Sequence, residues 1–245
     1  MGRDEITRLE PNLKELPALA ALDVNDGGFE PTKLTQTLVE AARELGARVL
    51  LGRAARLDVS RGRVTGVQAA DDRVDADVVV VAAGAASARL TKAIDVDLPL
   101  KVSPAAIVRM RTSRPLVNRI IASESREVRQ LTDHLLLSPE PYDGSEDLDA
   151  LAARVLADVR DKLHGAEDLT IESAGIGSRP MPVDEEPIIG FAPEVEGLYL
   201  TVMHSGVTLA AVAGRLAATE IVDGVAVDLL KDYRLTRFSK VQTAS

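Results

Sequence analysis

Two spacings of apolar residues alternate in the first part of the chain. Residues 32–45 show helical periodicity, with apolar side chains three or four positions apart at Leu34, Leu38, Ala41, Ala42 and Leu45. Gly46 then occupies the position where a left-handed residue commonly ends a helix. The apolar run over residues 47–51 predicts a buried strand directly after it, and a shorter helix is predicted near residues 3–9.

The next segment follows the period of two that is typical of strands. Alternating apolar residues, with turn pairs at Arg61-Gly62 and Asp71-Asp72, predict an antiparallel meander over residues 55–76. The four valines of residues 78–81 differ, because they leave no polar face. Such a strand is usually covered on both sides, as in a parallel sheet.

The pattern changes at Leu98. Strands are predicted over residues 102–110, 135–137 and 169–174, a helix over 148–163, an irregular Gly- and Pro-rich stretch over 175–190, a strand over 197–202 and a helix over 208–221. This order predicts an α/β fold with an α+β insertion. We expect a doubly wound nucleotide-type domain from residues 1–97 and 191–245, interrupted by an antiparallel sheet over residues 98–190.

Composition removes several classes of function. The net charge of −9 disfavours nucleic-acid binding, because contacts to phosphates depend on an excess of Lys and Arg. The chain has no cysteine, which excludes disulfides, thiolate catalysis and attachment of a flavin through sulfur, and a cytoplasmic location is expected. No apolar run is long enough to predict a membrane span. The histidines lack the spacing of metal ligands: His134, His164 and His204.

Three segments of the chain carry a family signature. The first covers residues 28–47 and begins Gly-Phe-Glu-Pro, and the second is Ala-Asp-Val-Val-Val-Val-Ala-Ala-Gly-Ala-Ala-Ser at residues 76–87. The third and most specific is Ser-Arg-Pro-Met-Pro-Val-Asp-Glu-Glu-Pro-Ile-Ile-Gly at residues 178–190, followed by Gly-Leu-Tyr-Leu at 197–200 and His-Ser-Gly-Val-Thr-Leu-Ala at 204–210. Together they resemble the FAD-dependent amine oxidases that include D-amino-acid, glycine and sarcosine oxidases.

One element of that family's pattern is not present in these 245 residues. Family members begin with a strand and a Gly-x-Gly-x-x-Gly turn, whose glycines let a helix N-terminus approach the pyrophosphate. Without this turn, the resemblance implies that residues 1–97 and 191–245 form an incomplete FAD-binding domain that holds the ADP half of FAD weakly. It also implies that the antiparallel sheet over residues 98–190 binds the substrate. We therefore expect the isolated chain to be colourless and not to behave as a compact monomer, since the valine strand would have an unpaired edge.

The resemblance also implies a substrate contact at Arg179. In the glycine oxidase type, the Arg of the Arg-Pro motif binds the substrate carboxylate. A planar guanidinium suits this role, because it donates two parallel hydrogen bonds and keeps its charge. The alternative is an ordinary surface arginine in an ion pair of little energetic value.

Two further groups of residues are implied as FAD contacts. Ala83 and Gly84 end the valine strand and are expected to pass against the dinucleotide, although a small-residue packing turn has the same sequence. A second group is expected where a helix N-terminus points at the flavin pyrimidine: His204, Ser205, Gly206, Val207 and Thr208. Backbone N–H groups and the helix dipole would stabilise negative charge there, whereas the alternative is a plain Ser/Gly helix start. No catalytic side chain or metal ligand is predicted, and the acidic run at residues 184–186 is interpreted as a solvated turn.

The function that the resemblance implies is oxidation of a C–N bond in a small amino acid or secondary amine, with hydride transfer to FAD. The alternative is a non-catalytic remnant or interaction module that pairs with a chain carrying the dinucleotide motif. The expected partners are the small substrate and either a second copy or that complementary chain, but neither nucleic acid nor membrane.

Overall fold

The computed structural model describes residues 1–240. Its helices are α1 (Arg3–Leu9), α2 (Pro31–Glu44), α3 (Ser87–Lys92), α4 (Leu148–Lys162) and α5 (Ala210–Val222), with short 3-10 helices at Gly84–Ala86, Asp228–Tyr233 and Leu235–Lys240. Its strands are β1 (Ala55–Ser60), β2 (Arg63–Ala69), β3 (Asp72–Asp75), β4 (Val79–Val81), β5 (Leu100–Arg111), β6 (Ile121–Ala122), β7 (Glu127–Thr132), β8 (Leu135–Pro141), β9 (Thr170–Pro182), β10 (Ile188–Phe191) and β11 (Leu198–Val202).

The strands form three sheets, in the orders β1-β2-β3, β10-β11-β4 and β6-β7-β8-β5-β9. The mixture of helices with parallel and antiparallel strands confirms the α/β fold class with an antiparallel insertion. Among the described residues, no helix is long and apolar enough to cross a membrane.

The chain divides into two compact units. The first contains Met1–Gly46 and Pro104–Gly177, and the second contains Ala47–Ser103 and the described residues from Ser178 onward. These bounds differ from the expected domains, because residues 1–46 group with the antiparallel sheet. The division falls within β5 and β9. Which part binds FAD and which binds substrate remains a prediction.

In the first unit, α4 covers one face of the antiparallel sheet. The Asp147 side chain caps the helix by accepting hydrogen bonds from the N–H groups of Asp149 and Ala150. The apolar stripe of α4 then packs on the sheet, and the buried side chains of this core include Leu151, Val155 and Val159 with Val108, Met110, Val128 and Leu136.

A charged network also attaches α4 to the sheet. Arg126 is almost fully buried; its Nε donates to Asp158 of α4 at 2.8 Å, and its Nη1 pairs with Glu140 of β8. Arg154 of α4 reaches the other oxygen of Glu140 at 3.0 Å. Each buried charge in this network therefore has a partner of opposite sign, as burial requires.

In the second unit, β4 and β11 form a parallel pair. Val79 lies opposite Leu198 and Val81 opposite Leu200, and these four side chains enter one core. Gly197 permits the approach of the two strands: its φ is +78°, and a side chain there would clash with the Asp77 carbonyl. The pair confirms the parallel arrangement predicted from the valine run.

A second charged cluster fixes the C-terminal 3-10 helices to this sheet. Glu220 of α5 is buried and accepts hydrogen bonds from Arg234, from the Tyr199 hydroxyl at 2.8 Å and from the Val227 N–H at 2.9 Å. Burial opposes ionisation of Glu220, but the hydrogen bonds outweigh it and hold the pKa of this carboxyl below its usual range.

Three local expectations are wrong. Residues 47–51 form no strand, and Leu51 is 74% exposed, because no neighbouring strand among residues 1–240 pairs with this segment. The valine run is not covered on both faces, since Val80 is 45% exposed whereas Val79 and Val81 are buried. The stretch 175–190 is not irregular throughout: β9 continues to Pro182, where an edge position tolerates proline.

Candidate functional site

Two of the predicted site segments leave the same edge of the parallel pair. Ala83 and Gly84 follow the carboxyl end of β4, and the segment 204–208 follows the carboxyl end of β11. Because these strands are parallel neighbours, the two turns lie side by side. Ligands of open α/β sheets bind at this edge.

The turn after β4 also lies next to the Arg-Pro segment. Ala83 is exposed, and Gly84 has a φ of +55°, in the left-handed region that favours glycine. A Cβ placed on Gly84 would lie 4.0 Å from Cγ of Pro180. The structure therefore brings the Ala83-Gly84 turn together with the residue that follows Arg179.

The segment after β11 is an exposed turn that leads into α5. His204 to Thr208 are all exposed, and α5 begins at Ala210, two residues later than predicted. Residues 204–209 form a hydrogen-bonded turn, in which the Leu209 N–H donates to the Ser205 carbonyl at 2.9 Å. This exposed turn at the start of a 13-residue helix fits an electron-rich group.

Arg179 lies half-buried on β9 and is held by one residue. Its Nε donates to the Ser103 carbonyl at 3.1 Å, and its Nη2 donates to the Ser103 hydroxyl at 2.6 Å. Both bonds use the same side of the guanidinium. Its other side, formed by Nη1 and the second Nη2 hydrogen, has no hydrogen-bond partner among the described side chains and matches a carboxylate.

Sequence reasoning missed Ser103. It lies 76 positions before Arg179, on a different strand, and it is one serine within an apolar run. Only the pairing of β5 with β9 in the folded sheet joins the two residues. No local pattern could have shown this contact.

The acidic turn beside this segment is exposed, and two of its carboxylates lie in ion pairs. Glu185 has a φ of +71° and pairs with Lys101 at 2.7 Å; that hydrogen bond and the Lys101 charge lower the pKa of its carboxyl. Asp184 pairs with Arg237 at 2.7 Å. No cluster of His, Cys, Asp and Glu suited to a metal ion occurs in the described part of the chain.

A parallel strand pair followed by small-residue turns at its carboxyl edge is typical of nucleotide-binding α/β proteins. Residues 1–220 match the DAO family, described as FAD dependent oxidoreductase, and the chain belongs to that family. The cofactor of the family is thus FAD. The turn at Ala83 and Gly84 and the exposed turn of residues 204–208 are compatible with such a cofactor.

Curated relatives carry related names. The chain is 32% identical over 247 residues to a D-amino acid dehydrogenase of Cereibacter sphaeroides, covering 94% of this chain and 55% of the relative. It is 30% identical over 171 residues to a glycine oxidase of Pseudomonas putida, covering 67% of this chain and 46% of the relative. The chain thus spans about half the length of the curated relatives it matches.

Solved structures share the fold. An L-amino acid deaminase from Proteus vulgaris superposes with a TM-score of 0.85 at 22% identity, over 97% of this chain and 63% of that one. A glycine oxidase from Geobacillus kaustophilus gives a TM-score of 0.82 at 23% identity, over 97% and 66% of the two chains. At these identities the comparison establishes the fold and not the substrate.

Proposed function

We propose that this chain supplies the flavin-facing edge and the substrate carboxylate contact of an FAD-dependent oxidoreductase acting on a C–N bond. The substrate would be a small amino acid or a secondary amine that carries a carboxylate. The observation that supports this proposal most directly is the free side of the Arg179 guanidinium, next to a turn at the carboxyl edge of the sheet.

Each predicted residue has a defined role in this proposal. FAD, when bound, supplies the acceptor for the hydride that leaves the substrate carbon. The N–H groups of Gly206, Val207 and Thr208 would stabilise negative charge on the flavin, with a helix-dipole contribution of roughly 0.3–2 kcal/mol. Ala83 and Gly84 would contact the dinucleotide, and His204 and Ser205 would line its edge. No side chain is assigned as a base, so the substrate amine must arrive neutral.

Ser103 serves as a positioning residue in this proposal. By accepting two hydrogen bonds on one side of Arg179, it fixes the plane of the guanidinium and leaves the opposite side open. A carboxylate then meets two parallel donors whose orientation is set before binding, which lowers the entropic cost of binding.

The test uses a fusion in which the part of a D-amino acid dehydrogenase that this chain does not cover is joined to its N-terminus. Anaerobic loss of flavin absorbance reports substrate oxidation without requiring a particular electron acceptor. Amino acids are compared with the amines that lack their carboxylate. We expect only carboxylate-bearing amines to reduce the flavin efficiently.

Arg179→Ala should lower amino-acid oxidation by at least about a hundredfold, because removing one member of a buried charged pair costs on the order of 3–5 kcal/mol. Arg179→Lys should restore it only in part, since an ammonium cannot donate the paired bonds. Arg89→Ala, which removes an exposed arginine of α3, is the matched control. Equal oxidation of carboxylate-free amines, or an unchanged rate in Arg179→Ala, would overturn the proposal.

A second candidate function is an interaction module, and α2 favours it. None of the 14 residues of α2 is buried; Leu38 is 56% exposed, and Leu45 directly after the helix is 90% exposed. Such an apolar face on a folded chain commonly marks an association surface. Light scattering over a concentration series tests this candidate. A compact monomer at every concentration would contradict it, and Leu38→Asp should shift any association equilibrium towards monomer.

A further inference from the structure

One arginine near the C-terminus holds the turn that follows β9. Nε and Nη2 of Arg237 donate to the two carboxylate oxygens of Asp184, at 2.7 and 3.0 Å. Nη1 donates to the Pro187 carbonyl and Nη2 to the Glu186 carbonyl, each at 2.9 Å. A fifth bond joins Nη1 to the Arg234 carbonyl at 3.3 Å. A guanidinium has five N–H groups, so the hydrogen-bonding capacity of Arg237 is fully used, and four of its bonds go to this turn.

The 3-10 helix that carries Arg237 is itself firmly attached to the second unit. Arg234, one turn earlier, pairs with buried Glu220 of α5 at 2.6 Å and donates to the Ile189 carbonyl of β10 at 3.3 Å. Leu235 is buried in the same core as the strands of the parallel pair. Arg237 therefore holds the turn from a backbone that is already fixed.

The turn is continuous with the end of β9, the strand that carries Arg179. β9 ends at Pro182, three residues after Arg179. Proline has no N–H group, so neither Pro180 nor Pro182 can donate a backbone hydrogen bond. The next backbone donor, the Val183 N–H, bonds to the Pro99 carbonyl at 2.9 Å. Because this strand end has few donors of its own, the attachment of the turn helps to determine where Arg179 lies.

Two cations hold the turn, and Arg237 is the more buried of them. Its side chain is 17% exposed, whereas Lys101, which pairs with Glu185 at 2.7 Å, is 44% exposed. Arg237 also makes the paired bonds to a carboxylate that a lysine cannot make. Its hydrogen bonds are the main reason that the pKa of the Asp184 carboxyl lies below its usual range. Arg237 is thus the principal attachment of the turn.

We propose that Arg237 is a positioning residue for Arg179: it fixes the turn of residues 183–187 and thereby sets where the substrate carboxylate is bound. The inference rests on the proposed function, in which Arg179 binds that carboxylate. Arg237 itself is assigned no contact with substrate or flavin. Its effect is to hold the binding group in place before the substrate arrives, which lowers the entropic cost of binding.

The first test is amide hydrogen exchange of this chain, measured by mass spectrometry over residues 178–190. Arg237→Ala should speed exchange in this segment by at least about tenfold, because the turn loses its attachment and opens locally. Exchange of β11 serves as the internal reference, since a general loss of stability would speed exchange in both segments. Unchanged exchange over residues 178–190, or an equal increase in β11, would overturn the proposal.

The matched control is Arg63→Ala. Arg63 is also an ion-paired arginine of the second unit, and its Nη1 lies 2.6 Å from Glu196. Glu196 precedes β11, so this ion pair lies at the amino end of the parallel strand pair, whereas the proposed site lies at the carboxyl end. Arg63→Ala should leave exchange over residues 178–190 unchanged. An increase equal to that in Arg237→Ala would show that the effect is not specific to the turn.

The second test uses the fusion described above and compares an amino acid with the amine that lacks its carboxylate. Arg237→Ala should lower the ratio of the two flavin-reduction rates by about tenfold, because a displaced Arg179 helps only the carboxylate-bearing substrate less. A merely structural role would reduce both rates in proportion to the folded fraction and leave the ratio unchanged. Arg237→Lys, which retains one bond to Asp184, should restore part of the ratio. An unchanged ratio in Arg237→Ala would overturn the proposal.

The two tests separate this inference from the proposed function. If the unaltered fusion oxidises both kinds of amine equally, the proposed function fails, and hydrogen exchange alone decides whether Arg237 positions Arg179. If the unaltered fusion prefers the carboxylate and Arg237→Ala keeps that preference, only this inference fails. Circular dichroism checks folding. If Arg237→Ala does not fold, Asp184→Asn decides instead, because it weakens the paired bonds but keeps those to the carbonyls; an unchanged exchange and ratio in Asp184→Asn would then overturn the proposal.

Discussion

The helices α2 and α4 have nearly the same length, and both have apolar residues at helical spacing, yet only α4 packs into a hydrophobic core. Each begins after an acidic residue whose side chain caps the helix, Glu30 in one case and Asp147 in the other. α4 buries four of its side chains, whereas α2 buries none. Amphipathic spacing therefore specifies which face of a helix is apolar. Whether that face is covered depends on other segments of the chain, such as the antiparallel sheet beneath α4.

The charged network under α4 gives the largest predicted difference between the two helices. Arg126→Met keeps the apolar stem but leaves Glu140 and Asp158 without their shared cation. Breaking a buried pair in this way should lower the free energy of unfolding by roughly 3–5 kcal/mol. The matched control on α2 is Arg43→Met, which should have no measurable effect. Urea unfolding followed by far-UV circular dichroism measures both, and equal effects would contradict the comparison.

Apolar packing gives the second difference. Leu151 of α4 is 1% exposed, and Leu151→Ala should cost about 2–5 kcal/mol through lost burial and the cavity left behind. Leu38→Ala on α2 removes the same atoms from an exposed position and should leave unfolding within about 0.5 kcal/mol of the original chain. Urea titrations of the two variants side by side test this. A large loss in Leu38→Ala would show that α2 is covered in solution.

Acid should weaken the attachment of α4 more than it affects α2. Burial disfavours the charged form of Asp158, but hydrogen bonds from Lys162 and Arg126 outweigh it and lower the pKa of this carboxyl. A carboxyl with a lowered pKa in the folded state contributes stability above its unfolded pKa of about 3.9. This contribution is lost as pH falls through the folded pKa. Asp158→Asn should therefore flatten the acid side of the stability profile, and an unchanged slope would disprove this assignment.

The smallest predicted difference lies at the N-caps. Asp147→Ala removes two hydrogen bonds at the start of α4 and should cost about 1 kcal/mol. Glu30→Ala removes similar bonds at the start of α2 but should leave the global transition in place, because α2 contributes no buried side chain to the core. Hydrogen exchange of the first helical turns distinguishes local fraying from a global effect. If Glu30→Ala lowered the free energy of global unfolding as much as Asp147→Ala, the proposed difference between α2 and α4 would be contradicted.

Local patterns predicted the elements that carry their own signals. α2, α4 and α5 lie within two residues of their predicted positions, because helical spacing and capping residues are properties of the segment itself. The strand expected at residues 47–51 is absent, since a strand also needs a neighbour, which no local pattern supplies. For the same reason the valine run predicted the parallel pairing of β4 but not the exposure of Val80.

The candidate site was predictable only in part. The family signature pointed to Arg179 and to the two turns, and the fold places those turns at one edge of a sheet. Their roles in binding FAD and substrate stay predictions, as does the absence of bound flavin in the isolated chain. Ser103 could not be found from sequence, because its contact with Arg179 exists only through the pairing of distant strands.

The parallel pairing of β4 with β11 has a consequence for the order in which the chain can fold. Val79 faces Leu198, so 119 residues must be synthesised before the partner strand exists. At a synthesis rate of about 5–20 residues per second, β4 remains without its partner strand for on the order of ten seconds. Closing so long a loop also slows folding after release. During this interval the valine strand is an unpaired apolar edge. The nascent chain is therefore most prone to misassociation before the edge that would hold the flavin has formed.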